Sequence, residues 1–326
     1  MKDESLTRRA LLGTATLGLA GAALAYPAEA LAKPPKALTP EEIAAIEVAF
    51  GKKGRSVENE ALYTVPLPRN DLKVTIKGEP VPIPFGFGGW ASFKRTKDGK
   101  QIMLMSDTVL QQHEVAGVMD GAIANGLEIA AVHNHFFYEE PRIAYMHVHG
   151  MSTDAGELAR RYMAAIQPSP LHPANQPKPN PSATPSVPAF EIPALDALIG
   201  YKATPNGTTI KYTVGRADLT VMDMNVEMTA AIGLNSWAAF AGNMEQAHIA
   251  GDIAMLEREV NVVIPILRKA GLEIVALHHH MLFENPRMIF LHYYGTGPAM
   301  KLAVGFKAAL DVLGKKPGSM RMGSKQ

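Results

Sequence analysis

Residues 126–150 read GLEIAAVHNHFFYEEPRIAYMHVHG, and residues 271–295 read GLEIVALHHHMLFENPRMIFLHYYG. The second passage is the first written again 145 positions later, and it decides the fold. Asp107 and Glu114 return as Asp252 and Glu259 at the same offset. Further upstream Arg69, Asp71, Leu72 and Val74 return as Arg216, Asp218, Leu219 and Val221, and Trp90-Ala91 with Phe93 returns as Trp237-Ala238 with Phe240, now 147 apart. Tyr63-Thr64-Val65 matches Tyr212-Thr213-Val214 at 149. Two short deletions in the second copy account for the drift. The chain is an internal duplication, and self-similarity of this kind is read before any single element.

Each copy carries the same grammar. Copy one opens with a helix signalled by Thr39 and Glu42 as a capping box, Pro40 at the first helical position, and Ile43, Ile46 and Phe50 on one face. Strand-like runs follow at Leu72–Ile76, Gly89–Lys94 and Gln101–Met105. The pattern then predicts a helix over Val109–Asn125, stopped by Asn125-Gly126, with Asp107 as its N-cap and Glu114 within it. Strands over Leu127–Phe136 and Arg142–Val148, joined by a turn at Tyr138–Pro141, lead to a last helix over Thr153–Ile166. In copy two Pro265 falls in the middle helix, where a kink is expected. The order ββαββα predicts an α+β fold: two tandem repeats related by a pseudo-twofold, each a mostly antiparallel sheet with helices on one face.

Boundaries follow from composition. Eight prolines between residues 168 and 188 remove backbone donors and fix φ, so that stretch reads as an extended linker between repeat 1 (33–167) and repeat 2 (189–314). Residues 315–326 read as a flexible tail. At the other end, Lys2, Arg8 and Arg9 precede an uncharged run from Ala10 to Ala25, with small-residue cleavage sites up to Ala32. This is the order of a signal peptide over residues 1–32, and the run is too short to span a bilayer. Thr7-Arg8-Arg9-Ala10-Leu11-Leu12 resembles a twin-arginine export signal; an ordinary export signal with an incidental arginine pair is the alternative. The expectation is a periplasmic or secreted protein with no membrane anchor in its mature form.

Charge and cysteine content narrow the chemistry. Net charge is +1 across 326 residues, which gives no electrostatic case for nucleic acid. There is no cysteine, which excludes disulfides, thiolate ligands and a Cys nucleophile. Of eleven histidines, eight fall in the two matching passages; His279 stands where the first copy has Asn134, and the other seven are His133, His135, His147 and His149, then His278, His280 and His292, with Tyr294 in the place of His149. Side chains alternate along a strand, so His133 and His135 share a face, as do His147 and His149. A hairpin centred on Pro141 would set His135 opposite His147 and His133 opposite His149, close enough for imidazoles to converge on one ion. Acid–base or anion chemistry without metal, and a purely structural cluster, are the competing readings.

The turns supply Glu139, Arg142, Glu284 and Arg287. The carboxylates could ligate, act as general base on a bound water, or orient a histidine. The guanidinium groups could fork onto a substrate carboxylate or phosphate, or bridge to Glu139 and Glu284. Met222, Met224 and Met228 raise copper, but no Met-x-x-Met run exists and core filling is the preferred reading.

The Leu-Glu-Ile-x-Ala-x-His-x-His segment of the first copy, the Glu-x-Pro-Arg turn and the later His-x-x-Gly resemble the LppY/LpqO-type secreted domain family, a domain of unknown function named after lipoproteins. The resemblance covers about residues 40–165 and 190–314 and implies a secreted, duplicated α+β protein without supplying a reaction. The lipobox cysteine of lipoprotein members is missing here, which implies a freely soluble protein. Three functions stay open on this reading. One is an exported binder of a divalent transition metal (zinc, copper or nickel). Another is a metal-dependent hydrolase of a small ester, amide or phosphate, with Glu284 as base and Arg287 clamping a small anionic substrate. The third is a metal-free module for an anionic ligand or cell-wall fragment.

Overall fold

The computed structural model describes residues 36–172 and 188–315; the expected signal peptide, most of the proline-rich linker and the tail lie outside them. Repeat 1 runs α1 (Pro40–Phe50), β1 (Arg55–Val57), β2 (Leu62–Pro68), β3 (Val74–Ile76), β4 (Glu79–Val81), β5 (Gly88–Arg95), β6 (Ile102–Gln111), α2 (Val115–Ala124), β7 (Glu128–His133), β8 (Glu139–Glu140), β9 (Ile143–Ser152) and α3 (Ala155–Ala165). Repeat 2 follows with α4 (Ile192–Ile199), β10 (Thr204–Asn206), β11 (Thr209–Gly215), β12 (Val221–Asp223), β13 (Val226–Met228), β14 (Asn235–Gly242), β15 (Ala247–Leu256), α5 (Glu257–Lys269), β16 (Glu273–His278), β17 (Met288–Gly297) and α6 (Ala299–Leu310). Each repeat builds one six-stranded antiparallel sheet, in the orders β1-β2-β5-β6-β9-β7 and β10-β11-β14-β15-β17-β16. The expected α+β duplication is what the chain forms.

Local signals explain most element ends. Thr39 and Glu42 make the reciprocal capping box of α1, and Asp154 caps α3 by accepting from the Glu157 amide. The middle helix departs from expectation. Residues 109–111 continue β6 and pair with Ile143–Tyr145 of β9, so α2 starts only at Val115 and Asp107 is a strand residue, not a cap. The period of two explains the difference: Ile102, Leu104 and Leu110 face the helices, while Met103, Met105 and Val109 face away. In repeat 2, Pro265 sits inside a helix that runs on to Lys269.

The helix-covered faces hold one core per repeat: Phe50, Leu104, Val148, Leu158 and Tyr162 in the first, and Leu195, Tyr212, Ile249, Leu291 and Phe306 in the second. The last glycine of each quoted passage serves this packing. A Cβ at Gly150 would lie 2.6 Å from Leu127 Cδ2, and one at Gly295 would lie 2.5 Å from Leu272 Cδ2.

The helix-free faces of the two sheets turn toward each other. Val109 and Tyr145 of the first sheet share a core with Ala239, Ala250 and Tyr294 of the second, and Met103 and Met105 share another with Met288 and Phe290. Two arms fill the gap, residues 69–87 between β2 and β5 and residues 216–234 between β11 and β14. Each arm reaches the other repeat. Phe85 meets the His248 ring edge-on at 6.1 Å, and Lys94 donates to the Glu227 carbonyl at 2.8 Å and the Thr229 hydroxyl at 3.0 Å. Met228 is buried in this inter-sheet core with Met224 packed against it, so these methionines fill space.

Candidate metal centre

Strand pairing sets the site, in a register different from the expected one. β7 pairs with β9 so that Ala131 faces His147 and His133 faces Tyr145, because residues 134–142 form a longer excursion in which Glu139 and Glu140 pair with β3. His135 therefore lies in the loop after β7, stacked on Tyr145 at 3.3 Å between ring centroids. A bulge between Ile129 and Ala131 also breaks strict alternation. Ile129 packs into the helix-side core, and the extra residue turns Ala131 and His133 to the opposite face. β16 carries the same bulge between Ile274 and Ala276 and delivers His278 in the same way.

Because both faces that carry histidine meet between the sheets, the two clusters become one. The rings of His133 and His278 stack at 3.7 Å between centroids, 15° from parallel. His135 of the first repeat lies 3.8 Å from His292 of the second, and His280 of the second lies 4.2 Å from His147 of the first. Those two contacts are pseudo-twofold equivalents, and the His133–His278 stack sits on the axis between them.

Two carboxylates complete the centre. Asp107 lies opposite His147 across β6 and β9, and Asp252 lies opposite His292 across β15 and β17. Among the described residues, three sets have ligand atoms all within 4.8 Å of one another: His133, His278 and His292; His147, His278 and His280; Asp107, His133 and His147. His149 belongs to none of them. It faces Asp223 of the second arm, with its Nδ1 3.7 Å from Oδ2, while Tyr294 in the matching position hydrogen-bonds His248 at 2.9 Å.

Proton positions follow from the outer partners. His147 Nδ1 lies 3.1 Å from the Ser106 carbonyl, His292 Nδ1 3.0 Å from the Gly251 carbonyl, and His278 Nδ1 3.1 Å from the His279 carbonyl. A carbonyl only accepts, so each Nδ1 carries the proton and each Nε2 turns a lone pair inward. The Nε2 atoms of His278 and His292, both oxygens of Asp252 and Oδ1 of Asp107 are buried without a hydrogen-bond partner among the described residues. Asp252 Oδ2 stands 3.4 Å from His280 Nε2, 3.8 Å from His292 Nε2 and 4.0 Å from His278 Nε2. His133 Nε2 and His147 Nε2 are 3.0 Å apart. Atoms bound at ~2.0–2.1 Å to one tetrahedral ion stand about 3.3 Å from each other, so these spacings suit a shared cation.

Burial keeps the rings neutral, which is the ligating form. Burial and then the neighbouring imidazoles hold His133, His135 and His147 well below the ordinary histidine range, and burial with His280 beside it does the same for His278. His280 and His292 are pushed down to about 3, again chiefly by burial. Burial and the Asp252 charge raise Asp107 to about 7. A bound cation would reverse that rise.

The turn residues do other work. Glu139 and Glu284 each accept their own turn's amide, Ile143 N at 3.3 Å and Met288 N at 3.1 Å. Arg142 and Arg287 donate to the Phe137 and Leu282 carbonyls, and Arg287 also meets His279 at 3.2 Å. None of the four enters a ligand set. Glu114 and Glu259, expected within the middle helices, are buried against arginine: Arg69 to Glu114 at 2.7 Å and Arg216 to Glu259 at 2.8 Å.

The sequence reading takes Asp107 and Asp252 for helix caps, although they recur at the histidine offset of 145; strand pairing places both opposite histidines of the centre, His147 and His292, instead. The sequence reading also passes over a cavity of about 680 Å³ that reaches Asp107, Asp252, His135, His280 and His292 and is lined by both tryptophans and Lys211.

Among curated proteins none matches the chain. Of solved structures, the double ringed trimeric shell protein MSM0271 from the RMM microcompartment is 13% identical, with 66% of this chain and 83% of that chain covered, at a TM-score of 0.18. EtuB from Clostridium kluyveri is 8% identical over 79% of this chain and 89% of that chain, at 0.19. The trimeric bacterial microcompartment shell protein PduB is 13% identical over 78% and 89%, at 0.18. Scores this low establish neither fold nor function. The sequence family described as Domain of Unknown Function (DUF1259) matches residues 44–168 and again residues 193–312, one match to each repeat, and the chain belongs to that family.

Proposed function

We propose that the chain is an exported binder of a divalent transition metal whose single centre, shared by both repeats, lies on the pseudo-twofold axis. One observation carries the reading: inward lone pairs on His278, His292, Asp252 and Asp107 are buried with no donor to meet them. Leaving such groups unsatisfied costs about 1–3 kcal/mol each, and a cation removes the cost for all of them together. Neutral imidazoles with carboxylates suit zinc best, with copper and nickel as alternatives, and disfavour calcium and magnesium, which take oxygen. Backbone carbonyls holding Nδ1 are the outer partners that ligating histidines use. Export rests on the leader-like residues 1–32 and on the resemblance to LppY/LpqO-type secreted domains.

Elemental analysis of untagged native protein tests the proposal. At least one equivalent of transition metal is expected, and less than about 0.2 equivalents, unrecovered after reconstitution with zinc, copper or nickel, overturns it.

The cavity favours a second reading, a metal-dependent hydrolase, because it has room for a small molecule and is lined by Asp107, Asp252, His280 and His292 of the centre. On that reading Asp107 and Asp252 stand where a base for bound water is needed. Chelator-sensitive turnover of an ester, amide or phosphate supports it, and inactivity of the metal-loaded protein across such a panel leaves the binder.

A further inference from the structure

The cavity between the sheets is built from pseudo-symmetric pairs, yet its charge is one-sided. Trp90 and Trp237 line it as equivalents, as do Asp107 and Asp252. Lys211 has no such partner. It lies on the inter-sheet face of β11, opposite in sense to Tyr212, which packs into the helix-side core. The matching position in repeat 1 is Leu62, buried in the inter-sheet core. The Lys211 ammonium stands 4.2 Å from the centre of the Trp237 ring, and Arg55 lines the same wall. The volume of about 680 Å³ lies within the ~300–1,000 Å³ range of small-molecule sites.

We infer that this cavity binds a small organic anion, its carboxylate or phosphate held by Lys211 beside Arg55 and its flat body lying against Trp237 and Trp90. The inference rests on the metal-centre reading for one feature, the approach of the far end of the ligand to His292 and Asp252. The cation and the indoles are independent of that feature. A lysine over an indole is drawn to the ring face and still offers N–H groups to an anion. Burial lowers Lys211 to about 8, with Asp107 and Asp252 working against the shift, so it remains largely charged at neutral pH. The two aspartates repel an anion and the two cations attract it, so the anionic group of the ligand belongs against Lys211 and Arg55.

The two tryptophans of the chain are Trp90 and Trp237, so tryptophan emission, excited at the red edge where tyrosine does not absorb, reports this cavity. Zinc-loaded and metal-stripped protein are titrated with benzoate and with phenyl phosphate, and with benzyl alcohol as the uncharged control. Saturable quenching by one or both anions, at least tenfold tighter than by benzyl alcohol, is expected. The stronger of the two identifies carboxylate or phosphate as the head group. Lys211→Leu, which copies the residue of repeat 1, should weaken anion binding at least tenfold while leaving metal content unchanged, and Lys211→Arg should restore it. Absence of saturable quenching in either form of the protein overturns the inference, as does a Lys211→Leu variant that binds as well as the parent. Metal bound without anion response removes the inference alone. Anion binding to a protein that takes up no metal removes the metal centre and keeps the anion site.

Discussion

At the scale of single residues, His278 and His149 look alike in the sequence and differ in what surrounds them. His278 stacks on the axis and enters two of the three ligand sets. His149 sits two residues beyond His147 on the same strand, yet it faces Asp223 and enters none. His278→Ala is therefore expected to lower metal stoichiometry below half while near- and far-ultraviolet circular dichroism stay native. His149→Ala should keep full metal. Equal metal content in the two variants would remove the shared-axis geometry. The same contrast separates the carboxylates. Asp252 presents two bare oxygens to three imidazoles, whereas Glu284 spends one oxygen on the Met288 amide of its own turn. Substituting Asp252 thus touches the centre directly, and substituting Glu284 acts through the turn.

At the scale of elements, the recurring Arg-x-Asp of each arm finds its meaning only in three dimensions. Arg69 is 1% exposed and forks onto Glu114 at 2.7 and 3.1 Å while also holding Asp71, fixing the start of an arm to the head of α2. Removing one partner of a buried pair strands the other charge, at about 3–5 kcal/mol. Glu114→Ala should therefore lower the free energy of unfolding by about 3 kcal/mol in urea titrations, and Glu259→Ala should act alike. A loss under 1 kcal/mol would show Asp71 sufficient by itself. The duplication, the capping box of α1, the last helix and the crowding of histidines into the two repeated passages were all legible in the sequence, because each is written in local spacing. The site's true geometry was not. A bulge at Ile129/Ala131 changes side-chain parity without a marker, and the pairing of Glu139–Glu140 with β3 lengthens what reads as a tight hairpin. Asp107 precedes a helix-like run and so resembles a cap, until the pairing of residues 109–111 with β9 shows the strand continuing. Neither arm exchange nor the meeting of the two clusters could be read from one copy, since both are relations between copies.

At the scale of the whole molecule, duplication has put matching histidines and aspartates on both sides of one axis, and the consequence is a charge-sensitive interface between the sheets. In metal-free protein His133, His135, His147, His278, His280 and His292 are all held below the ordinary value of 6.5. An unfolded chain protonates these rings near 6.5 while the folded protein does not. Stability contributed by their neutrality is therefore full above 6.5 and is lost as pH falls toward their folded values, at about 1.4 kcal/mol per pH unit for each ring. Asp107, raised to about 7, and Asp252, also raised, act in the opposite sense. They retain protons in the folded state that an unfolded chain releases above about 3.9, so they favour the fold as pH drops from 7. Six rings against two carboxylates leave a net loss. Metal-stripped protein should accordingly show its urea midpoint falling from pH 7 to pH 5, with no loss between pH 7 and 8. Saturating zinc should raise the midpoint at pH 7, because the ion binds only the folded arrangement, and acid should erase that gain as protons compete for the same nitrogens. A stripped protein with an unchanged midpoint between pH 5 and 7 would mean that the rings take up protons in the folded state, and an interface that accommodates those charges has no need of a metal to hold it together.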